Sequence, residues 1–303
     1  LDTKIESEDR GKDASNGQSN DEFVDYVVGE YKWMGDEKLC EAEFATFAKE
    51  HLIRGSIRHR PRDERVWAMH RMVEVVTKPV TIDSNTPKSN PTPWWSPPLI
   101  DAVSPPSRKY TYDIRPDCQY WLSLNFANPS YKRFYGDYVY ETGGGVCPYF
   151  TIEFKKDAST YQTAQNQLAT AAALALYNRC ILKHEFLQAT QTTWSQEIAQ
   201  SIRHYGLTFS GCNWQFWCIT PEILQQDVKA KFKWEGCKMS NLDRGKLLGR
   251  QEVEDFITWI NEIHRWGITE HGKDCEADVK RCIDNGPSGV RTSSAVILQN
   301  LEQ

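Results

Sequence analysis

Apolar positions along the chain change period part-way, and the change divides it. From residue 21 to about 76, large side chains recur three or four positions apart: Phe23, Tyr26, Val27 and Tyr31, then Leu39, Phe44, Phe47 and Leu52, then Val66, Trp67, His70, Met72 and Val75. This spacing gathers them on one helical face, so three N-terminal helices are expected. Between the second and third lies RGSIRHRPRDER, with five arginines against one aspartate and one glutamate. Residues 78–108 are rich in Pro and Ser; Pro fixes φ and removes a donor, so a long irregular loop is expected there.

After the loop the period becomes that of strands. Residues 110–114, 118–124 and 149–155 are aromatic or β-branched runs bounded by Pro and Gly. The segment GDYVYETGGGVCP reads as an extended piece and a flexible turn. A run of strong helix formers follows, STYQTAQNQLATAAALALYNRCIL, opened by Ser159 as a capping residue, with alanines that let a helix lie close to a sheet. A second helix is expected at 184–204, strands at 207–210, 213–220 and 228–234, and an amphipathic helix at 252–265. The order predicts an α/β (α+β) fold, a mixed central β-sheet flanked by helices. One domain spans 21–285, with a helical part (21–77), the Pro-rich loop (78–108) and an α/β core (109–270). Polar residues 1–20 and 286–303 read as loose tails.

Composition narrows the function classes. Of 303 residues, 40% are hydrophobic and 25% charged, enough for a sizeable core. No stretch reaches the roughly 18 to 20 apolar residues of a membrane span, so no membrane partner is expected. A net charge of -5 argues against a generally basic coat for nucleic acid but leaves room for a local basic groove. Nine cysteines without a CxxC pair read as reduced thiols of an intracellular protein, nuclear or cytoplasmic, rather than a zinc ribbon or a disulfide scaffold. His184, His204, His264 and His271 lack zinc-hydrolase spacing, and neither a Walker loop nor G-x-S-x-G occurs.

The constellation with chemistry in it is Pro116-Asp117 at the head of one strand and Glu153-Phe154-Lys155 at the end of another. On a strand, i and i+2 share a face, so Glu153 and Lys155 project together while Phe154 turns into the opposite layer. If the two strands are neighbours, Asp117 meets Glu153 with an ammonium beside them. Paired carboxylates suit a hard cation, Mg²⁺ or Mn²⁺, and the set suits metal-assisted phosphodiester hydrolysis. An E-x-K on a strand also reads as a solvated charge pair, but the run Tyr149-Phe150-Thr151-Ile152 before it reads as a buried strand, where charges need partners.

These residues, with Asn166-Gln167 on the following helix, resemble the PD-(D/E)xK nuclease superfamily, most of all its fungal nuclease-like branch, over roughly residues 60–265. The resemblance implies a restriction-endonuclease-like fold with the site at a sheet edge. It implies that Asp117 and Glu153 hold the metal, helped by the Phe154 carbonyl, that Lys155 positions the attacking water, and that Gln167 orients Lys155 or contacts substrate. Glu64, Trp67 and His70 are similar to a pattern on the helix preceding the superfamily's first core strand. Glu64 is therefore the expected third metal-side carboxylate, with Glu43 behind it; an N-terminal-turn glutamate stabilised by the helix dipole reads equally well. Gln167 reads also as a solvated helix residue. Lys156, next to Lys155, falls on the other face, toward a phosphate or toward water.

A nuclease needs positive charge near its site. Arg58, Arg60 and Arg62, between Arg54 and Arg65, are one candidate nucleic-acid-binding stretch; Lys231 and Lys233, interleaved with Phe232 and Trp234, are another. Trp121, Trp214 and Trp217 are expected in the core, and Trp94-Trp95 either pins the Pro-rich loop or lines a channel. The expected function is a divalent-metal-dependent nuclease acting on DNA or RNA. The alternatives are a catalytically inactive module of the same fold that binds nucleic acid or a protein partner, and a host-directed regulatory protein with a protein target.

Overall fold

The computed structural model describes residues 20–55, 67–70, 80–81, 92–98, 115–156, 160–223 and 232–285. Glu64, Arg58, Arg60, Arg62, Arg65, Lys231, the expected tails and the expected strand at 110–114 lie outside the described residues. The chain enters through α1 (Asn20–Asp36) and α2 (Glu41–Phe47), which continues as a π turn to Leu52. Strands β1 (Trp67–His70), β2 (Val80–Thr81), β3 (Trp95–Ser96) and β4 (Cys118–Ser123) follow, then the single turn α3 (Pro129–Lys132) and β5 (Gly145–Lys155). The 30-residue α4 (Tyr161–Thr190) and the short α5 (Gln196–Ser201) lead to β6 (His204–Ser210), β7 (Asn213–Pro221) and β8 (Cys237–Lys246). The described chain ends with α6 (Arg250–Trp266), a π turn, and α7 (Gly272–Asn285).

Six strands form one mixed sheet in the order β1-β4-β5-β6-β7-β8, parallel between β5 and β6 and antiparallel elsewhere. Helices cover both faces. The parallel pair requires a crossover, and α4 supplies it, leaving the end of β5 and returning to the start of β6. Because β5 lies in the middle with both faces covered, Tyr149, Phe150, Thr151, Ile152, Glu153 and Phe154 are all buried. On one face, a Cβ at Gly206 would sit 2.7 Å from the Leu168 side chain of α4, so glycine lets the helix approach without displacing that leucine. Ala164, Ala171, Ala172 and Ala175 line the buried side of the helix, as its composition predicts. On the other face, Phe256 of α6 packs on Phe209, Trp214 and Phe216 with ring centres 5.3–5.7 Å apart, and Tyr31 of α1 lies on Phe209. Among the described residues, no helix is long and apolar enough to cross a membrane.

Three expectations are corrected and one element is new. Trp67–His70, expected in a third helix, is an edge strand paired with Gln119–Leu122; a short apolar run fits either period, and here the exposed edge of β4 decides it. The helix expected at 184–204 divides. With no Gly or Pro to stop it, α4 runs through His184 to Thr190; Gln191 then turns to φ +55° and ends it, Ser195 caps α5, and His204 opens a strand. Residues 232–236 are irregular, and the strand expected at 228–234 begins instead at Cys237. Helix α7, at residues the periodicity left unassigned, buries Cys275, Val279, Cys282 and Ile283.

Of the Pro-rich loop, Trp94 and Trp95 are buried against the body. Trp94 packs on Trp121 and Tyr140, while the Trp95 N–H donates to Asn178 Oδ1 (3.0 Å) and the Asn178 amide donates back to the Trp95 carbonyl (2.8 Å). Trp121 and Trp214 are core residues, and Trp217 is half-buried.

Candidate functional site

Register brings the two motif strands together. β4 and β5 are antiparallel with Cys118 opposite Ile152, so Asp117 falls opposite Glu153 one step further on. The Asp117 carboxylate closes this end of the ladder by accepting the Phe154 N–H at 2.8 Å. Lys155 Nζ stands 3.9 Å from the same Asp117 oxygen and donates to the Phe154 carbonyl at 2.7 Å. The site thus lies at the end of the central strands rather than along an edge strand.

Glu153 shares its face with Thr151, whose partner Gly206 lies against α4, and only 2% of its surface is exposed. Burial, the largest influence, pushes its carboxyl up to about 8. The neighbouring Asp117 charge adds to the rise, Lys155 opposes it, and a hydrogen bond to Asp117 favours the protonated form. A protonated Glu153 therefore sits beside Asp117, with the Lys155 ammonium near the Asp117 carboxylate.

Glu41, in the first turn of α2, also raises Glu153 and so contributes to the negative potential at the site. Periodicity could not single it out, because its nearness to β5 is tertiary; its place in a first helical turn beside a core strand was the available signal. Glu43, the fallback on the same helix, is exposed. Trp67 and His70, expected to share a helix with Glu64, lie on an extended strand.

Ser210 pairs with Lys155 across the β5–β6 ladder. Its hydroxyl is buried and makes no hydrogen bond among the described residues. Pattern reading passed over it as an ordinary strand end.

The remaining expected residues separate. Gln167 is exposed on α4 and makes no contact with Lys155 among the described residues, because the helix turns Ala164 and Leu168 inward instead. Asn166 is likewise exposed and accepts from Gln162. Lys156 is exposed beside the site, as alternation predicts. Lys233 pairs with Glu235 at 2.6 Å, and its neighbour Phe232 packs on Tyr177, His184 and Trp194. Those contacts lie toward the far end of α4, away from Lys155, so Lys233 does not belong to this site.

The histidines are structural where their partners define them. His264 Nε2 donates to the Ile53 carbonyl, leaving Nδ1 to accept from the Tyr149 hydroxyl, and burial lowers its pKa to about 4. His204 is buried against Thr151 and lowered to about 3, first by burial.

Among the described residues, no group of three His, Cys, Asp or Glu side chains forms a metal cage. The donor set still fits a hard cation: the two carboxyl groups of Asp117 and Glu153, with a backbone carbonyl alongside. Mg²⁺ commonly binds through one or two carboxylates and retains water and substrate oxygens as its other ligands. Compared with models of protein families, with curated proteins and with solved structures, the chain matches none.

Proposed function

We propose that the chain is a divalent-metal-dependent nuclease of PD-(D/E)xK type, hydrolysing phosphodiester bonds of DNA or RNA. The observation that carries this reading is the meeting of Asp117, Glu153 and Lys155 at the end of two paired strands, from positions far apart in sequence. Asp117 and Glu153 would hold Mg²⁺ or Mn²⁺, and the Phe154 carbonyl retains a lone pair beyond the one that Lys155 uses. Such an ion, when bound, polarises phosphoryl oxygens and lowers the pKa of its water.

The protein's own groups account for the rest. Burial under α4 keeps Glu153 protonated until a cation or base claims its place, so the site exchanges a proton for a charge. Lys155, held by the Phe154 carbonyl within reach of Asp117, directs an N–H toward a water or phosphate oxygen on that side and offsets developing negative charge. Glu41 is the candidate for a third acidic group. Restriction-endonuclease-like architecture belongs to the same proposal, supported by the parallel β5–α4–β6 crossover and by the acidic pair at the strand ends.

The test is cleavage of labelled single strands, duplex DNA and RNA with Mn²⁺ or Mg²⁺. Asp117→Asn, Glu153→Gln and Lys155→Ala should each lower the rate at least about a hundredfold, the scale of losing one electrostatic group in an active site. Circular dichroism should stay unchanged. Full cleavage by all three variants removes the proposal.

A further inference from the structure

Beyond the end of β5 lies a cleft of about 570 Å³. One wall is the end of α1 and the turn into α2, with Lys32, Lys38 and Phe44; the other is Lys156 and the β6–β7 turn, with Ser210 and Gly211. It adjoins the candidate site on both sides. Lys156 follows Lys155, the Gly211 N–H donates to the Lys155 carbonyl at 3.0 Å, and the lining residues Leu39 and Phe44 bracket Glu41. Three exposed lysines face a single acid, Asp36, among the described lining residues.

Two buried hydroxyls on its lining are unsatisfied. Tyr31 and Ser210 are 0% and 1% exposed, and neither hydroxyl has a hydrogen-bond partner among the described residues. An orphaned buried hydroxyl is costly, of the order of 1–3 kcal/mol, unless something pairs with it. Met34, Leu39 and Leu248 make the rest of the lining apolar.

We propose that this cleft receives an unpaired nucleotide of a single-stranded nucleic acid, with phosphates at the lysine rim and the base in the apolar interior. The proposal rests on the nuclease reading and sharpens it to a substrate class. Polyanion attraction explains the lysines, and a planar heterocycle suits the apolar walls of Met34, Leu39, Phe44 and Leu248. The volume is on the scale of small-ligand pockets, roughly 300–1,000 Å³, which suits one or two nucleotides and excludes a duplex.

The experiment is fluorescence anisotropy in EDTA, where nothing is cut, using a labelled oligothymidylate and the matching duplex. Single strand should bind at least about tenfold more tightly than duplex. Lys32→Glu with Lys38→Glu should weaken single-strand binding at least about tenfold and reduce the salt slope by about 1.4, roughly 0.7 for each phosphate left without its lysine. Gly35→Trp fills the cleft without a change of charge, and a Cβ at Gly35 meets nothing within 4 Å, so the fold is spared; it should bind single strand equally poorly. Equal or tighter duplex binding, or unaltered single-strand binding by both variants, overturns the proposal. Cleavage with Mn²⁺ separates the two claims. A wild type that binds single strand through the cleft yet cuts nothing contradicts the nuclease reading alone; one that cuts single strand no faster than its cleft variants do contradicts the cleft alone.

Discussion

Two charge clusters lie toward opposite ends of the long helix α4, and they are built differently. Between α4 and α7, Arg179 and Lys183 meet Asp274 and Asp278 in a closed set of two cations and two anions. Arg179 bonds Asp274 and lies 2.7 Å from Asp278, while Lys183 reaches Asp274 at 3.0 Å and Asp278 at 2.7 Å. Burial alone would raise Asp274, but Arg179 and Lys183 outweigh it and hold its carboxyl below the usual range. Near the start of α4 the balance is broken: Lys155 lies by Asp117, and Glu153 keeps a proton chiefly because it is buried, with Asp117 and Glu41 adding to the rise and Lys155 alone opposing it. A closed set fastens two helices together. An open one has an affinity left to satisfy, which is why the second cluster is the one we propose as the cation site.

Breaking the closed set should cost the most stability. Asp278→Ala leaves Arg179 and Lys183 short of a buried partner and should destabilise by about 3–5 kcal/mol, read from urea unfolding. Glu153→Gln should act in the opposite direction. The folded pKa of Glu153, about 8, lies above an unfolded value near 4.5. The unfolded chain therefore loses this proton first as pH rises, and the native state loses stability between about pH 4.5 and 8. The stability that is fully present below pH 4.5 declines by about 1.4 kcal/mol per unit. Glutamine removes this slope, so the variant should exceed wild type by about 4 kcal/mol at pH 8 and match it near pH 4, in thermal or urea melts without metal. A Glu153→Gln protein less stable than wild type at pH 8 would erase the distinction between the clusters.

The part of the molecule legible in sequence was the part whose chemistry is local. Tyr149-Phe150-Thr151-Ile152 announces a buried strand, the alanines of α4 announce close packing, and antiparallel pairing then suffices to place Asp117 opposite Glu153. What was illegible depends on distant surroundings. The run at Trp67–His70 takes strand form because β4 has a free edge. β8 is largely polar and half-exposed, without the β-branched alternation that marks a strand. Helix α7 buries two cysteines among its four inward apolar positions, which hides its periodicity. Ser210 looks ordinary until the sheet carries it beside Lys155, and Glu41 until α2 packs near Glu153.

Smaller effects sharpen the same contrast. Gly206→Ala presses on Leu168 and should cost about 1–3 kcal/mol by overpacking, shifting α4 over Glu153 and slowing cleavage more than it alters the closed cluster. Lys233→Glu breaks a largely exposed ion pair with Glu235, so stability should change by no more than about 1 kcal/mol, with nucleic-acid affinity unchanged in anisotropy.

The open cluster is tested most directly by calorimetric titration of Mn²⁺ into metal-free protein at pH 7, in two buffers of different ionisation enthalpy. The carboxyl of Glu153 is still protonated at that pH, so binding should release close to one proton per ion, and Glu153→Gln should abolish both the binding and the release. Absence of binding in the wild type, or equal binding by Glu153→Gln without proton release, would contradict a cation site at Asp117 and Glu153.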